Sequence, residues 1–275
     1  MKKLAVVIPL IAALFLACVA TGPGGKTSLV IIPTGQEVAI GAGMAQEVEA
    51  TEKILNDPVW QSYLNEVGQK IVSVCDRKDI DYHFTVIESD QVNAFAAPGG
   101  YVYFYTGLLK EMHSEAELAA VVAHEVSHVV ARHSMKRIQA AMGVAMAYEL
   151  VFGDSSSQVL QTAVGVGLGL LSATYSRSNE READSYGITY MVRAGYHPDG
   201  AMGMFETLAA LGGAGSTSVF EQLASTHPET QERINNARAQ MAEMQPLSSS
   251  LTIGRERYEQ MLKRLPVGST GSGGR

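Results

Sequence analysis

The segment VVAHEVSHVVARH, residues 121–133, places three histidines and one glutamate inside an otherwise apolar run. Burying such groups without partners is costly, so their side chains need hydrogen bonds or a ligand. Within the segment, His124, Glu125 and His128 form the pattern HExxH. On an α-helix, the two histidines of this pattern lie about 40° apart around the axis, so both imidazoles can reach one metal ion. The segment therefore predicts a buried metal site on a helix.

The sequence predicts where the helix that carries this pattern begins and which histidine lies on its opposite face. Ser114 and Glu117 form a capping box, so we expect the helix to begin at Ser114. His133 lies nine residues after His124, which on a continuous helix is about 900° and places it on the opposite face. We therefore interpret His133 as a structural or surface histidine, and His113 precedes the cap without a supporting partner.

A third metal ligand must come from elsewhere, because a catalytic zinc usually has three protein ligands and one open position. The segment NEREAD places Glu180 and Asp184 at positions i and i+4, on one face of a predicted helix. Glu182 points about 200° away from Glu180 on such a helix. From these residues alone, a solvated acidic face is the favoured interpretation and a ligand role is the alternative.

The remaining chain predicts a mainly helical domain with a few strands. Asp57-Pro58 marks a helix start, and Ser178 is the predicted cap of a later helix. We expect an apolar helical hairpin within 141–172, with two membrane spans as the alternative. Other predicted helices cover 36–56, 58–75, 178–195, 197–213 and 226–244, and predicted strands lie in 81–88 and 92–109, the latter range forming two strands around a Pro-Gly-Gly turn.

The N-terminus resembles a secretory signal peptide, residues 1–17, with two lysines followed by an apolar run. The sequence FLAC is similar to the lipobox of bacterial lipoproteins, although Phe15 and Leu16 depart from the usual residues. The resemblance implies acylation of Cys18, and plain secretion or an uncleaved anchor are the alternatives. The residue after Cys18 is Val19 rather than aspartate, which resembles outer-membrane sorting if the source is Gram-negative. We expect a lipid-anchored tether over 18–32, a folded domain over 33–265 and a disordered tail over 266–275.

Composition excludes several classes of protein. A hydrophobic content of 46% with 18% charged residues predicts a packed core rather than disorder. The formal net charge is −7 and no basic stripe is visible, so nucleic acid is not an expected partner. Beyond Cys18 the chain contains only Cys75, which excludes an internal disulfide and a cysteine-based zinc site. Cys75 is interpreted as a small core residue.

Four stretches of the chain carry a family resemblance, and they are VNAFAAPGGYVYFYTGLL, ELAAVVAHEVSHVVARH, YSRSNEREADSYG and STHPETQERI. Together they resemble the M48 peptidases, and they occur in the order found in that family. This family of zinc endopeptidases includes Ste24-type prenyl proteases, a bacterial heat-shock membrane protease, a mitochondrial stress protease and periplasmic envelope proteases. The resemblance implies that residues 33–265 form a peptidase domain with an α+β, mainly helical, zincin-like (gluzincin) fold, in which the edge strand of a small sheet flanks the active-site helix.

The resemblance also implies roles for individual residues. It implies that Glu180 is the third zinc ligand, beside His124 and His128, and that Asp184 hydrogen-bonds a ligand histidine. Glu125 is implied as the general base that acts on a zinc-bound water.

The segment THPETQERI is expected to return to the active site. His227 is a candidate donor to the oxyanion of the transition state, or a zinc ligand in a resting state. A helix cap beside Pro228 is the alternative role for His227. Arg233 is expected either to form an ion pair with Glu180 or Asp184 or to contact substrate.

Substrate is expected to bind along an exposed strand edge, which recognises backbone rather than sequence. We therefore expect loose specificity for unfolded proteins. The predicted function is a zinc endopeptidase in envelope protein quality control, with the membrane contacted through the lipid anchor. The alternatives are a chaperone-like assembly factor that keeps the metal site, and a membrane-integral prenyl-protein protease that would need 141–172 to span. The predicted substrate-binding residues are Asn93, Ala94, Phe95, Gly99 and Gly100.

Overall fold

The computed structural model describes residues 30–153, 157–213, 226–227 and 231–266. Its strands are β1 (His83–Ile87), β2 (Ala94–Ala97) and β3 (Tyr101–Tyr105). Its helices are α1 (Thr34–Thr51), α2 (Pro58–Val74), α3 (Thr106–Glu111), α4 (Glu115–Val130), α5 (His133–Phe152), α6 (Ser157–Leu170), α7 (Arg177–Arg193), α8 (Asp199–Gly213), α9 (Gln231–Glu243) and α10 (Arg255–Leu262).

The three strands form one sheet in the order β1-β3-β2. The strand β1 runs parallel to β3, with His83 opposite Tyr101, and β2 runs antiparallel to β3, with Ala94 opposite Phe104. A 3₁₀ turn over Pro98–Gly100 joins β2 to β3, as the Pro-Gly-Gly sequence predicts. This order leaves β2 at an edge of the sheet.

The prediction that the third strand continues to residue 109 is wrong, because β3 ends at Tyr105 and α3 follows. The Thr106 hydroxyl donates to the Ser89 carbonyl oxygen, and the Gly107 amide donates to the same oxygen. The chain therefore leaves the sheet to bond the loop after β1. A Cβ atom at position 107 would lie 2.3 Å from the Asp90 carbonyl oxygen, so only glycine permits this approach.

Helix α4 forms the centre of the molecule, since all of its residues are buried. It packs against α2, α7, α8 and β2. The predicted capping box is confirmed, because the Ser114 hydroxyl accepts from the Glu117 amide at 3.2 Å and the Ser114 hydroxyl also lies 3.2 Å from Glu117 Oε1. Alanine and valine fill most of α4, and their small side chains let neighbouring helices approach closely. The mainly helical α+β class with a small sheet is confirmed.

Two helix boundaries differ from the predictions for local reasons. Helix α1 ends at Thr51 rather than at residue 56, because residues 53–55 pair with the end of β1, including a bond from the Leu55 amide to the Val86 carbonyl. Helix α7 is capped by Ser176 rather than Ser178, and the Ser176 hydroxyl accepts from the Asn179 amide. Asp57 caps α2 with Pro58 at its first position, as predicted.

The C-terminal part contains a helix that the sequence did not predict. Gly254, at φ +69°, precedes α10. Trp60 of α2 donates from its indole nitrogen to the Met261 carbonyl oxygen, and Tyr258 donates to the Leu109 carbonyl oxygen. These bonds attach α10 to α2 and to the end of α3. Cys75 is buried in the same core, as predicted.

The apolar region after α4 is a pair of packed helices, as predicted. Helix α5 begins earlier than expected, at His133, and contains a non-helical Gly143 at φ +76°. It packs against α6. Among the described residues, no helix is both long enough and apolar enough to cross a membrane.

Several predictions concern positions outside the described residues. They are the signal peptide, Cys18 and most of the tether, Pro228 and the tail from residue 267 onward.

Candidate metal centre

Four buried side chains converge at the centre of the molecule. One potential ligand atom from each of His124, His128, Glu180 and His227 lies within 4.8 Å of the others. His128 Nε2 is 3.1 Å from His124 Nε2, and His227 Nδ1 is 3.3 Å from His124 Nε2 and 3.1 Å from Glu180 Oε1. His128 Nε2 is 3.5 Å from the same glutamate oxygen.

This geometry fits a single bound metal ion. A tetrahedral zinc site with bonds of about 2.0–2.1 Å spaces its ligand atoms about 3.3 Å apart. The distances above scatter around that value, and the donor set of imidazole nitrogens and a carboxylate is one that zinc accepts. Three imidazoles packed together without an ion would bury several nitrogen lone pairs against one another. Burial and the neighbouring histidines lower the pKa of His128 well below its usual value, which favours the neutral, ligating form.

Three separate elements bring the cluster together. Helix α4 supplies His124 and His128 one turn apart, as the HExxH spacing predicts. Helix α7 supplies Glu180 from its first turn. It approaches α4 closely at Gly187, where a Cβ atom would lie only 3.2 Å from the His124 amide nitrogen. His227 follows Thr226, whose carbonyl oxygen accepts from the Tyr175 amide just before α7.

Asp184 lies behind His124, in contact with a candidate ligand as the family resemblance implies. Asp184 Oδ1 is 3.1 Å from His124 Nδ1, so the carboxylate can hold the ring nitrogen that faces away from the cluster. Arg233 pairs with both oxygens of Asp184 at 2.7 Å and with Glu180 at 2.9 Å. Although burial opposes it, this hydrogen bonding lowers the pKa of Asp184 to about 2. Of the two predicted roles for Arg233, the structure shows the ion pair.

The interpretation of His133 as a residue on the far side of the helix is wrong. Helix α4 ends at Val130, Arg132 adopts a left-handed conformation at φ +55°, and a new helix begins at His133. The side chain therefore turns back under the site and is fully buried. His133 Nδ1 lies 2.9 Å from His128 Nδ1, and His133 Nε2 lies 3.1 Å from Glu182 Oε2.

Glu125 and His227 face each other beside the cluster. Glu125 is buried, its Oε1 lies 3.7 Å from His227 Nε2, and its Oε2 has no hydrogen-bond partner among the described residues. Burial alone would lower the pKa of His227, but the carboxylates of Glu180 and Glu125 raise it above its usual value. The ring of His227 lies among the candidate ligands, and the alternative cap at Pro228 falls outside the described residues.

The predicted substrate-binding residues divide into two groups. Asn93, Ala94 and Phe95 are buried on or beside the edge strand β2. Ser134 of α5 donates to the Ala96 carbonyl oxygen at 3.2 Å, and all four residues of β2 are buried. The prediction of an exposed strand edge is therefore wrong at Ala96, where the helix that follows the metal site covers it. Gly99 and Gly100 serve the turn instead, with φ values of +74° and +94°, and neither belongs to the four-residue cluster.

Sequence reasoning missed Tyr175, Glu182 and the position of His133. The Tyr175 ring lies 4.1 Å from the His128 ring, and its hydroxyl is 2.9 Å from that of Ser134. The stretch YSRSNEREAD contains Tyr175 and Glu182. Glu182 is linked to His128 only through His133, which the break after α4 places against His128.

The sequence matches one family of known proteins over most of its described part. The family model described as Peptidase family M48 matches residues 58–241, more than half of the chain. The match covers the four candidate ligands and excludes α1 and α10.

Three curated relatives align with between 58% and 78% of this chain. The Beta-barrel assembly-enhancing protease of Escherichia coli strain K12 is 30% identical over 224 residues, 78% of this chain and 45% of that protein. The Mitochondrial metalloendopeptidase OMA1 of Schizosaccharomyces pombe is 35% identical over 186 residues, 66% of this chain and 53% of that protein. Metalloprotease YcaL of Escherichia coli is 32% identical over 163 residues, 58% of this chain and 62% of that protein. The chain spans about half the length of the curated relatives it matches.

Proposed function

The chain belongs to peptidase family M48, a family of metalloendopeptidases. On that premise we propose that it hydrolyses peptide bonds with a zinc ion held by His124, His128 and Glu180. The observation that carries the proposal is the buried cluster in which these side chains and His227 converge. Imidazole and carboxylate ligands suit zinc, and three protein ligands leave one coordination position open. A zinc ion bound there would polarise the scissile carbonyl and acidify a water molecule.

Glu125 is the proposed general base. It follows His124 on α4 and is buried beside the cluster, and its Oε2 lacks a hydrogen-bond partner among the described residues. A carboxylate in that position can accept a proton from the attacking water and deliver it to the leaving amine. The low exposure of the site excludes competing bulk water during this transfer.

His227 is proposed as a resting-state ligand rather than as an oxyanion donor. With His227 included, four protein ligands complete a tetrahedral site, whereas catalysis needs an open position. The side chain would therefore have to leave before substrate enters. We expect His227→Ala to retain one zinc ion and to cleave an unfolded protein faster than the wild type. A variant that retains zinc but cleaves more slowly would instead assign His227 to transition-state stabilisation.

The proposed substrate is an extended segment of an unfolded protein. The strand β2 is at the edge of the sheet, and it contacts the metal-site helix α4. A substrate backbone that displaced the Ser134 hydroxyl from the Ala96 carbonyl oxygen and paired with that edge would lie next to the cluster. Pairing of this kind places few demands on side chains. The signal-like N-terminus and Cys18 support a further proposal, that the protein works on envelope proteins as an outer-membrane lipoprotein.

The experiment that tests the proposal compares Glu125→Gln with the wild-type protein. We expect Glu125→Gln to bind one zinc ion per chain and to lose cleavage of unfolded casein. Glu47→Gln, an exposed position on α1, is the matched control and is expected to cleave like the wild type. If Glu125→Gln retains cleavage, or if the wild type binds no zinc, the proposed mechanism fails.

The same variant separates the peptidase from a chaperone-like assembly factor. One relative carries a name that joins both ideas, Beta-barrel assembly-enhancing protease. If Glu125→Gln still restores outer-membrane assembly in cells that lack the protein, assembly does not require cleavage. If the variant fails to restore it while remaining folded, the peptidase activity is the function.

A further inference from the structure

The buried His133 and the partly exposed Glu182 form a chain of contacts that ends on a candidate metal ligand. His133 is fully buried, and its two ring nitrogens face different partners. Nδ1 lies 2.9 Å from His128 Nδ1, and Nε2 lies 3.1 Å from Glu182 Oε2. The mechanism proposed above uses neither residue.

The protons of this chain can be placed by elimination. His128 turns Nε2 toward His124 and Glu180, so that nitrogen must carry a lone pair to bind a metal ion. The proton of a neutral His128 therefore lies on Nδ1 and can be donated to His133. His133 then accepts at Nδ1, so its own proton lies on Nε2 and is donated to the Glu182 carboxylate. Each ring nitrogen of His128 and His133 that lies along these contacts therefore faces an atom of the opposite kind.

We infer that His133 and Glu182 are positioning residues that fix the ring orientation and the tautomer of His128. Asp184 makes the corresponding contact to His124, at 3.1 Å from its Nδ1. A ligating histidine usually donates its second ring N–H to such a partner, and loss of that partner typically weakens metal binding about 10–100-fold. The inference rests on the metal site proposed above. It differs from simple packing because it predicts which variants preserve zinc affinity.

The inference is tested by the zinc affinity of purified full-length variants, measured by competition with a fluorescent chelator. We expect His133→Leu to weaken zinc binding about 10–100-fold, because the His128 N–H would then be buried without an acceptor. His133→Gln offers both a carbonyl acceptor and an amide donor, so it should recover most of the lost affinity. The control His113→Gln changes an exposed histidine outside the chain of contacts and should bind zinc like the wild type.

A double-mutant cycle adds a readout that packing alone would not change. We expect Glu182→Ala to weaken zinc binding by less than His133→Leu, because Glu182 acts on the metal ligand through His133. Once His133 is replaced by leucine, removal of Glu182 should cause no further loss, since the two residues act as one unit. Losses that multiply in the double variant would show independent effects and would overturn the inference.

The zinc-loaded protein also has a spectroscopic signature. With ¹⁵N-labelled histidine, long-range ¹H–¹⁵N spectra should show His128 protonated at Nδ1 and His133 protonated at Nε2. The opposite tautomer of His133 would overturn the assignment, even if the affinities change.

The failure of this inference is distinguishable from the failure of the proposed function. If the wild type binds zinc tightly and His133→Leu binds it equally well, only the positioning role fails. If the wild type binds no zinc, the metal site itself fails. If His133→Leu does not fold, as judged by circular dichroism without metal, His133→Gln and Glu182→Ala decide the question, and a zinc affinity of Glu182→Ala equal to that of the wild type would refute it.

Discussion

Replacing Glu37 by alanine should destabilise the whole domain, because its carboxylate forms ion pairs with two buried arginines. Glu37 is almost fully buried, at 1% exposure. Arg77 contacts its two oxygens at 2.8 and 2.9 Å, and Arg132 Nε lies 2.7 Å from Oε2. The Gly99 amide also donates to Oε1 at 3.4 Å. The cluster joins α1 to the loop after α2, to the turn before β3 and to the end of α4.

The magnitude follows from the loss of this carboxylate by two buried arginines, of which Arg77 keeps Asp79 as a partner at 3.1 Å. Removing one partner of a buried ion pair typically costs about 3–5 kcal/mol. For a domain of this size, about 2–4 °C is lost per kcal/mol, so the midpoint should fall by roughly 6–20 °C. Glu37→Gln keeps the shape and one acceptor oxygen but loses the charge and turns an amide NH2 toward the arginines, so its stability should lie between those of Glu37→Ala and the wild type.

The assay is urea and thermal unfolding of the metal-free protein, which separates this cluster from the metal site. Glu47→Ala lies exposed on the same helix and should change stability by less than about 0.5 kcal/mol. A loss below about 1 kcal/mol for Glu37→Ala, with an unchanged denaturant slope, would refute the argument that the arginines depend on this carboxylate.

Further predictions concern the metal site, the turn and the N-terminus. Glu180→Ala should abolish stoichiometric zinc binding measured by atomic absorption, and normal retention of zinc would exclude Glu180 as a ligand. Because the pKa of Asp184 is lowered to about 2 from a usual 3.8, its contribution of about 2 kcal/mol is present above about pH 4 and is lost as the pH falls toward 2. The stability difference between the wild type and Arg233→Met, measured by urea unfolding, should therefore shrink over that range, and a constant difference would contradict it. Gly100→Ala should lose about 1–3 kcal/mol from its φ of +94° alone, with further loss because its Cβ would lie 2.1 Å from the Asp81 carbonyl oxygen, and an unchanged melting temperature would contradict this. Mass spectrometry of the mature protein should find a diacylglycerol-modified Cys18 at the N-terminus, and an unmodified N-terminus at another residue would exclude the lipoprotein.

Local sequence patterns were sufficient to predict those parts of the structure that depend on residues close together in the sequence. Ser114 with Glu117 predicted the start of α4, and Asp57 with Pro58 predicted the start of α2, because each pair satisfies amides within one turn. The spacing of His124 and His128 placed two candidate ligands on one face for the same reason. In each case the residues that determine the conformation are a few positions apart.

The sequence was not sufficient where the conformation depends on distant partners. A helix that ends in a left-handed residue usually has glycine or asparagine there, and Arg132 gives no such signal. The backbone at Arg132 is held by contacts from α1 and the segment before it, since its side chain reaches Glu37 and the Ile32 carbonyl oxygen. The early end of β3 likewise depends on the loop at Ser89. Such positions can be recognised only when the fold is known.

The break at Arg132 also explains why three acidic residues of one helix can act on the same site. On a continuous α4, only Glu180 and Asp184 would share a face that meets the histidines, and Glu182 would belong to the surface. Because α4 ends before the left-handed Arg132, His133 lies between Glu182 and His128. Through His133, the Glu182 carboxylate on another face of α7 orients the His128 ring. Arg132 Nε lies 2.7 Å from Oε2 of Glu37, which belongs to α1 and lies outside the residues matched by the family model. A helix that contributes no candidate ligand therefore contacts the segment that brings His133 to His128.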